Sequence, residues 1–291
     1  MDQVTFLWTL AGTVFAGVAL FMQKIVAEEK RSSAFYGLIS YGVAGVIGSA
    51  LLVFLPELPP HWRLLAVFGF AGGAAHGIAN FARIESLKYI DSVLFFPLNK
   101  MLGPLLVVIG GVFIFGDSLK PIQYLGIGLS LTVPLLLVSS VEHQRQNNLS
   151  RGLKILTIST IFSAVAVLLA KQGLLYSSSV IIMLSTSQIA GMIASAAILW
   201  RQHGAGFAMI SHADKRDVQL GVWSGVISFV SSFCLFEAMT TGLVSLVYVI
   251  QAHYILIPII LSVWWYKDHI NLRKFAAVVV SFLAIGLLYT A

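Results

Sequence analysis

The chain contains one segment twice. Ala44-Gly45-Val46-Ile47-Gly48-Ser49-Ala50, laid over Ala190-Gly191-Met192-Ile193-Ala194-Ser195-Ala196, agrees at five of seven positions at an offset of 146. At 152, Gly69, Gly73, Phe81 and Glu85 fall on Gly221, Gly225, Phe233 and Glu237. Phe15 and Lys24 fall on Phe162 and Lys171, and Asp117 on Asp268, at 147 and 151. An offset that drifts by a few residues marks one duplication with loop insertions. Each copy reads as five apolar spans. An odd number forces the second copy into a bilayer from the opposite face, so the halves are expected to be inverted.

Composition requires the bilayer. The chain is 58% hydrophobic and 10% charged, with mean hydropathy +0.91, and about 20 apolar residues cross the hydrocarbon once. The expected spans are Val4–Val26, Ala34–Leu55, Leu64–Ala82, Val93–Phe115 and Pro121–Val141. The second set is Gly152–Ala170, Val180–Trp200, Val218–Met239, Val244–Tyr266 and Lys274–Thr290. The expected fold is therefore an all-α polytopic membrane protein, ten transmembrane helices in two inverted-topology five-helix repeats. Residues 1–141 form the first repeat, 142–151 a polar linker and 152–291 the second repeat, together one membrane domain. The first span lacks a basic stretch ahead of it and belongs to the repeat, so it is expected to stay in the mature protein.

The net charge of +6 reads as membrane topology, not as a nucleic-acid surface, because no basic run is interleaved with aromatics. Lys30 and Arg31 follow the first span, against Tyr176-Ser-Ser-Ser179 after the sixth. Arg63 faces Arg201, Lys215 and Arg216, and Lys120 faces Lys267, Arg273 and Lys274. Arg83 and Lys88 follow the third span, with nothing basic after the eighth. Once the second half is inverted, the richer loop of each pair lies on one side, which the positive-inside rule makes cytoplasmic. Both termini are then expected outside the cytoplasm. Cys234 is the single cysteine, so no internal disulfide is possible.

Some polar residues read as structural. Asp117, followed by Pro121, reads as a cap at the start of the fifth span, and Asp268 with Asn271 as its counterpart. Glycines such as Gly69, Gly73 and Gly77 suit close helix packing. Pro97, Pro104 and Pro258 interrupt helices and either kink them or free a carbonyl toward a cavity.

Phe81-Ala-Arg-Ile-Glu-Ser-Leu-Lys-Tyr-Ile-Asp-Ser-Val, on through Pro104 to Phe115-Gly-Asp-Ser-Leu, resembles the EamA family of the drug/metabolite transporter superfamily. Phe236-Glu-Ala-Met-Thr-Thr-Gly-Leu-Val-Ser-Leu-Val, through Pro258 to Tyr266-Lys-Asp-His-Ile, is similar to the same pattern. The likeness covers essentially the whole chain. Members typically carry Glu where this chain has Asp117 and Asp268. The resemblance implies a ten-helix carrier of small metabolites, often amino acids and often an exporter, in a bacterial inner membrane.

A charge inside a span costs at least ~2.5 kcal/mol, so each requires a partner or a role. Lys100, beside Asn99 in the fourth span, reads either as a structural ion pair with Glu85 or Glu237 or as a cationic post for a substrate carboxylate or phosphate. Gly69, Gly73, His76 and Asn80 share one face of the third span, and Gly221, Gly225, Ser228 and Ser232 the equivalent face of the eighth. Two such faces are expected to line a cavity between the repeats. Gln251 and Tyr254 are helix neighbours, with Tyr248 and His253 nearby. Gln188, Trp223 and Trp8 complete the candidates. The expected substrate-binding set is His76, Asn80, Asn99, Lys100, Gln188, Trp223, Gln251 and Tyr254. Glu85 and Glu237 are proton-coupling candidates, although Glu85 also suits an i,i+3 pair with Lys88.

The leading functional expectation is a secondary or facilitative transporter of a small metabolite such as an amino acid, exporting by alternating access. No Walker motif is present to couple ATP directly. The alternative is an exporter of drugs or cationic compounds, which Lys100 in a cavity disfavours. A membrane-embedded enzyme would need grouped His, Asp or Glu. The seven histidines are dispersed, so no catalytic residue, metal or cofactor is expected. A channel would show rings of charge or filter motifs. Expected partners are the small-molecule substrate and the lipid bilayer, with no nucleic acid.

Overall fold

In the computed structural model, residues 1–90, 92–137, 148–203, 214–257, 260–261 and 272–290 are described. Their regular structure is helical, with no strand among them. The ten helices among the described residues are α1 (Gln3–Glu28), α2 (Ser33–Leu52), α3 (Trp62–Leu87), α4 (Ser92–Phe115) and α5 (Pro121–Leu137). They continue as α6 (Leu149–Tyr176), α7 (Val180–His203), α8 (Lys215–Thr241), α9 (Val244–Ala252) and α10 (Leu272–Thr290). A tight 3-10 turn, His253–Ile255, follows α9. Among the described residues, seven helices are long and apolar enough to cross a membrane; α5, α9 and α10 form shorter apolar stretches. Residues 138–141 of the fifth expected span and 258–259 and 262–266 of the ninth lie outside the described residues, Pro258 among them, as do Asp268, Asn271 and most of the linker.

The main helix contacts run between the halves of the chain. α3 lies against α6 and α7, α2 against α7 and α8, α1 against α8 and α9, α4 against α6 and α9, and α5 against α10. Adding five to each helix of the first half, and subtracting five in the second, maps this pattern onto itself. Contacts within a half are sparser, so the halves interleave.

Lipid tails are as apolar as leucine, so close approach and buried polar contacts must hold the helices together. A methyl group on Gly73 of α3 would collide with the Ser187 backbone of α7, and one on Gly77 would lie 3.1 Å from Gly191. On the repeat-related surface, a Cβ on Gly225 of α8 would lie 2.6 Å from the Ser40 carbonyl oxygen of α2. Both sets of glycines thus permit backbone-to-backbone contact between halves.

Asp117 has a different role from its expected one. It is 7% exposed, and its carboxylate accepts the Ser245 backbone N–H at 2.9 Å, capping α9 in the other half. Gly116, at φ +68°, makes the turn that returns Asp117 N–H to the Gly111 carbonyl at 3.0 Å. A left-handed backbone of this kind favours glycine. The start of α5 is served instead by Gln123, whose side-chain oxygen accepts the Lys120 N–H at 2.9 Å. Lys171 of α6 donates to the Met239 and Gly242 carbonyls at 2.7 and 3.0 Å, satisfying the C-terminus of α8 where cations are favourable.

At the end that carries the α1–α2 turn, an ionic cluster joins the halves. Arg31 meets Glu29, Asp214 and Asp217 at 2.5, 3.3 and 2.7 Å, and Arg216 reaches Glu29 at 2.5 Å. The hydrogen bond from Arg31, then that from Arg216, holds the Glu29 carboxyl below the ordinary carboxylate range. Glu29 and Asp217 in turn push the Arg31 pKa upward, so Arg31 stays charged.

Three outcomes are expected. Gly73→Leu abolishes monodisperse protein in size-exclusion chromatography, whereas Gly128→Ala, with open space around it, behaves as wild type. Asp117→Ala lowers stability by about 1–2 kcal/mol in detergent-phase thermal unfolding, and Asp117→Asn, which keeps an acceptor, loses less. A lowered folded-state pKa gives Glu29 a stabilisation present in full above its ordinary 4.5 and lost as pH falls through the folded value. Melting temperature should therefore fall more steeply from roughly pH 5 to 3 in wild type than in Arg31→Ala.

Candidate functional site

The polar face predicted on α3 opens onto a cavity of about 140 Å3 lined by residues of both halves. At about 30 Å3 per water that volume would hold roughly five waters, which is the scale of a small solute. α3 contributes His76 and Arg83 along with Gly69, Gly72 and Gly73. α1 adds Gln23, and α2 adds Tyr41. From the second half come Ser163 of α6, Ser187 and Gln188 of α7, Ser228, Ser231 and Ser232 of α8, and Tyr248 and Gln251 of α9; Tyr254 follows in the 3-10 turn. The apolar part of the wall includes Leu20, Val167 and Leu235.

Side-chain contacts organise this lining. The Tyr41 hydroxyl donates to the His76 carbonyl at 3.2 Å, and the two rings meet edge to face with centroids 6.0 Å apart. Ser231 is already committed, donating to the Gly12 carbonyl at 3.0 Å. Ser163 and Tyr248 hydroxyls lie 3.4 Å apart. Gln188 is 5% exposed and its side-chain oxygen has no partner among the described residues. A buried acceptor of this kind is costly unless something donates to it.

Four of the eight expected binding residues line the cavity: His76, Gln188, Gln251 and Tyr254. Asn80, Asn99 and Lys100 are buried but do not line it. Asn99 donates to Thr160 at 2.9 Å, a helix-packing contact. Lys100 does not pair with Glu85 or Glu237. It donates to the Tyr254 hydroxyl and sits over that ring, 3.7 Å from its centroid, as a cation–π contact. Tyr254 thus stands between Lys100 and the cavity. Trp223 turns away: it is 62% exposed on the outer surface of α8. Glu85 takes the surface pair with Lys88 at 2.5 Å and accepts from Ser33 at 2.7 Å. Glu237 is half-buried and outside the lining.

Arg83 corrects the sequence reading. Counted there as a loop cation after the third span, it belongs to α3, which runs on to Leu87, and it is 7% exposed. Its guanidinium donates to the Gln23 side-chain oxygen at 3.4 Å, while Nε has no partner among the described residues. Helical side chains slant toward the N-terminus, and from Arg83 that direction leads back along the α3 face that carries His76. The missed signal was the continuing polar face, since Asn80 and Arg83 are three apart. Gln23 and Tyr41 gave no comparable signal, because each stands alone in its span.

Comparison with known proteins bears on the fold and the family. A structure described as "Crystal structure of protein" aligns with a TM-score of 0.78 at 14% identity, covering 100% of this chain and 98% of the other; it shows shared fold. A Lactococcus lactis subsp. lactis (strain IL1403) protein named "Putative sugar uptake protein YxfA" is 31% identical over 137 residues, 43% of this chain. The match spans 45% of that relative's length. The EamA-like transporter family model matches twice, over residues 3–139 and 150–290. Those two matches take in nearly the whole chain, which therefore belongs to the EamA-like transporter family.

Proposed function

We propose that this chain is an alternating-access carrier of a small, hydroxylated, hydrophilic metabolite. Its repeats, 1–141 and 152–291 joined by 142–151, have inverted topology. The self-mapping helix contacts support that reading, as do the paired family matches. Rocking of one repeat against the other would expose the cavity to each side in turn. The ionic cluster at the Arg31 end supports the topology, because it brings the basic α1–α2 turn and the basic start of α8 to one side. That side is cytoplasmic by the positive-inside rule, and both termini lie opposite.

The carrying observation is the lining itself: hydroxyls and amides from both halves, with no Asp or Glu among the described lining residues. Polar groups in a buried site recognise solutes that complete their hydrogen bonds. Hydroxyl-rich solutes donate to Gln188 and Gln251 and accept from serines. A cationic drug would find no carboxylate, and neither would the ammonium of an amino acid. The name of the Lactococcus relative, "Putative sugar uptake protein YxfA", points the same way. We therefore place the substrate nearer to sugars than to the amino acids suggested by resemblance. Glu85 and Glu237 lie outside the cavity lining, and the substrate reading does not depend on them.

Counterflow in proteoliposomes tests this with labelled sugars, sugar derivatives, amino acids and a lipophilic cation. A sugar-class solute is expected to exchange, and Gln188→Ala with Gln251→Ala to weaken exchange about tenfold. Trp223→Ala, on the lipid face, should leave it unchanged. Exchange of the cation alone would exclude the reading.

A further inference from the structure

We infer that the carried solute is an anion whose carboxylate or phosphate seats on Arg83. This rests on the carrier reading above and specifies its substrate class. An arginine stays protonated at any physiological pH and presents five N–H donors. Here one neutral acceptor, Gln23, stands at 3.4 Å, and the buried Nε faces no acceptor among the described residues. None of the described ion pairs includes Arg83. Buried charges in proteins are normally paired, so this guanidinium is a donor set in want of an acid, and it lines the cavity. Carboxylate and phosphate match its planar fork with two parallel hydrogen bonds.

One further observation points to the same ligand charge. The described lining contains no carboxylate, so no fixed negative side chain within it cancels the field of Arg83. A cation on an enclosed low-dielectric wall raises the local concentration of anions. The hydroxyls and amides further along suit the neutral remainder of a hydroxylated acid or of a phosphate ester. A purely structural role, tethering α1 to α3 through Gln23, is the rival. It would not require an electropositive interior.

Thiol reaction rates separate the two before any substrate is identified. In full-length Cys234→Ser protein in proteoliposomes, Ser232→Cys puts one thiol on the cavity wall. Its rates with anionic and cationic methanethiosulfonates are compared with those of a free thiol. The anionic reagent should be favoured about tenfold over the free-thiol ratio, Arg83→Gln should abolish that preference, and Arg83→Lys should retain most of it. A ratio equal to the free thiol's in the Arg83 protein overturns the inference, whether or not Arg83→Gln folds. So does a preference that survives Arg83→Gln. A thiol unreactive toward both reagents from either side would instead count against the carrier reading. Protection by gluconate, glucose 6-phosphate and glucose names the acid: gluconate protection indicates a carboxylate, glucose 6-phosphate protection a phosphate. Protection by glucose alone overturns the anion.

Discussion

Hydrocarbon gives one apolar helix no reason to prefer another over lipid, so association in a membrane depends on how closely backbones approach. In this protein that approach is made through glycine, and it is made between the halves. Gly73 and Gly77 bring α3 onto α7, and Gly225 brings α8 onto α2. Each contact leaves room for only a hydrogen at the crossing. The cavity borders those crossings, with His76 and Arg83 on one α3 face and Gln188 following Ser187 on α7. The chemistry of the wall is consequently held by the same contacts that hold the repeats together.

The fold was legible because its signals are global. A duplication and a succession of apolar spans are properties of the whole chain, and small errors at span ends do not erase them. The site was legible only in part, for local reasons. His76, Gln188, Gln251 and Tyr254 were found because a polar group inside an apolar span must meet either another polar group or a wet cavity. Trp223 is no anomaly in lipid, and nothing in its neighbours shows that it faces outward. Lys100 was recognised as needing a partner, but an aromatic face as that partner leaves no sequence pattern. Arg83 was misplaced because a cation near a span end is usually a topology signal, and the five-residue extension of α3 that begins with it depends on tertiary packing.

The repeats are equivalent in frame and unequal in detail. Lys24 and Lys171 occupy matching positions in the duplication. Yet Lys24 forms an i,i+4 pair with Glu28 at 3.5 Å, while Lys171 reaches across to the α8 carbonyls. Glu85 and Glu237 also match, and the first is held by Lys88 and Ser33 while the second has no ion pair among the described residues. A duplicated scaffold supplies two similar walls, and divergence of their polar residues gives one cavity its distinct ends.

The short link between α8 and α9 is clamped by opposite charges from two directions: Lys171 on the carbonyls that close α8, Asp117 on an amide that opens α9. Swinging either helix free of the other would strip a buried cation and a buried anion of their dipolar partners together. The corner is therefore braced from both sides. α9 has that braced end at Ser245 and its cavity-lining residues, Tyr248 and Gln251, further along, with the tightened turn His253–Ile255 beyond them, so the brace and the cavity wall share one short helix.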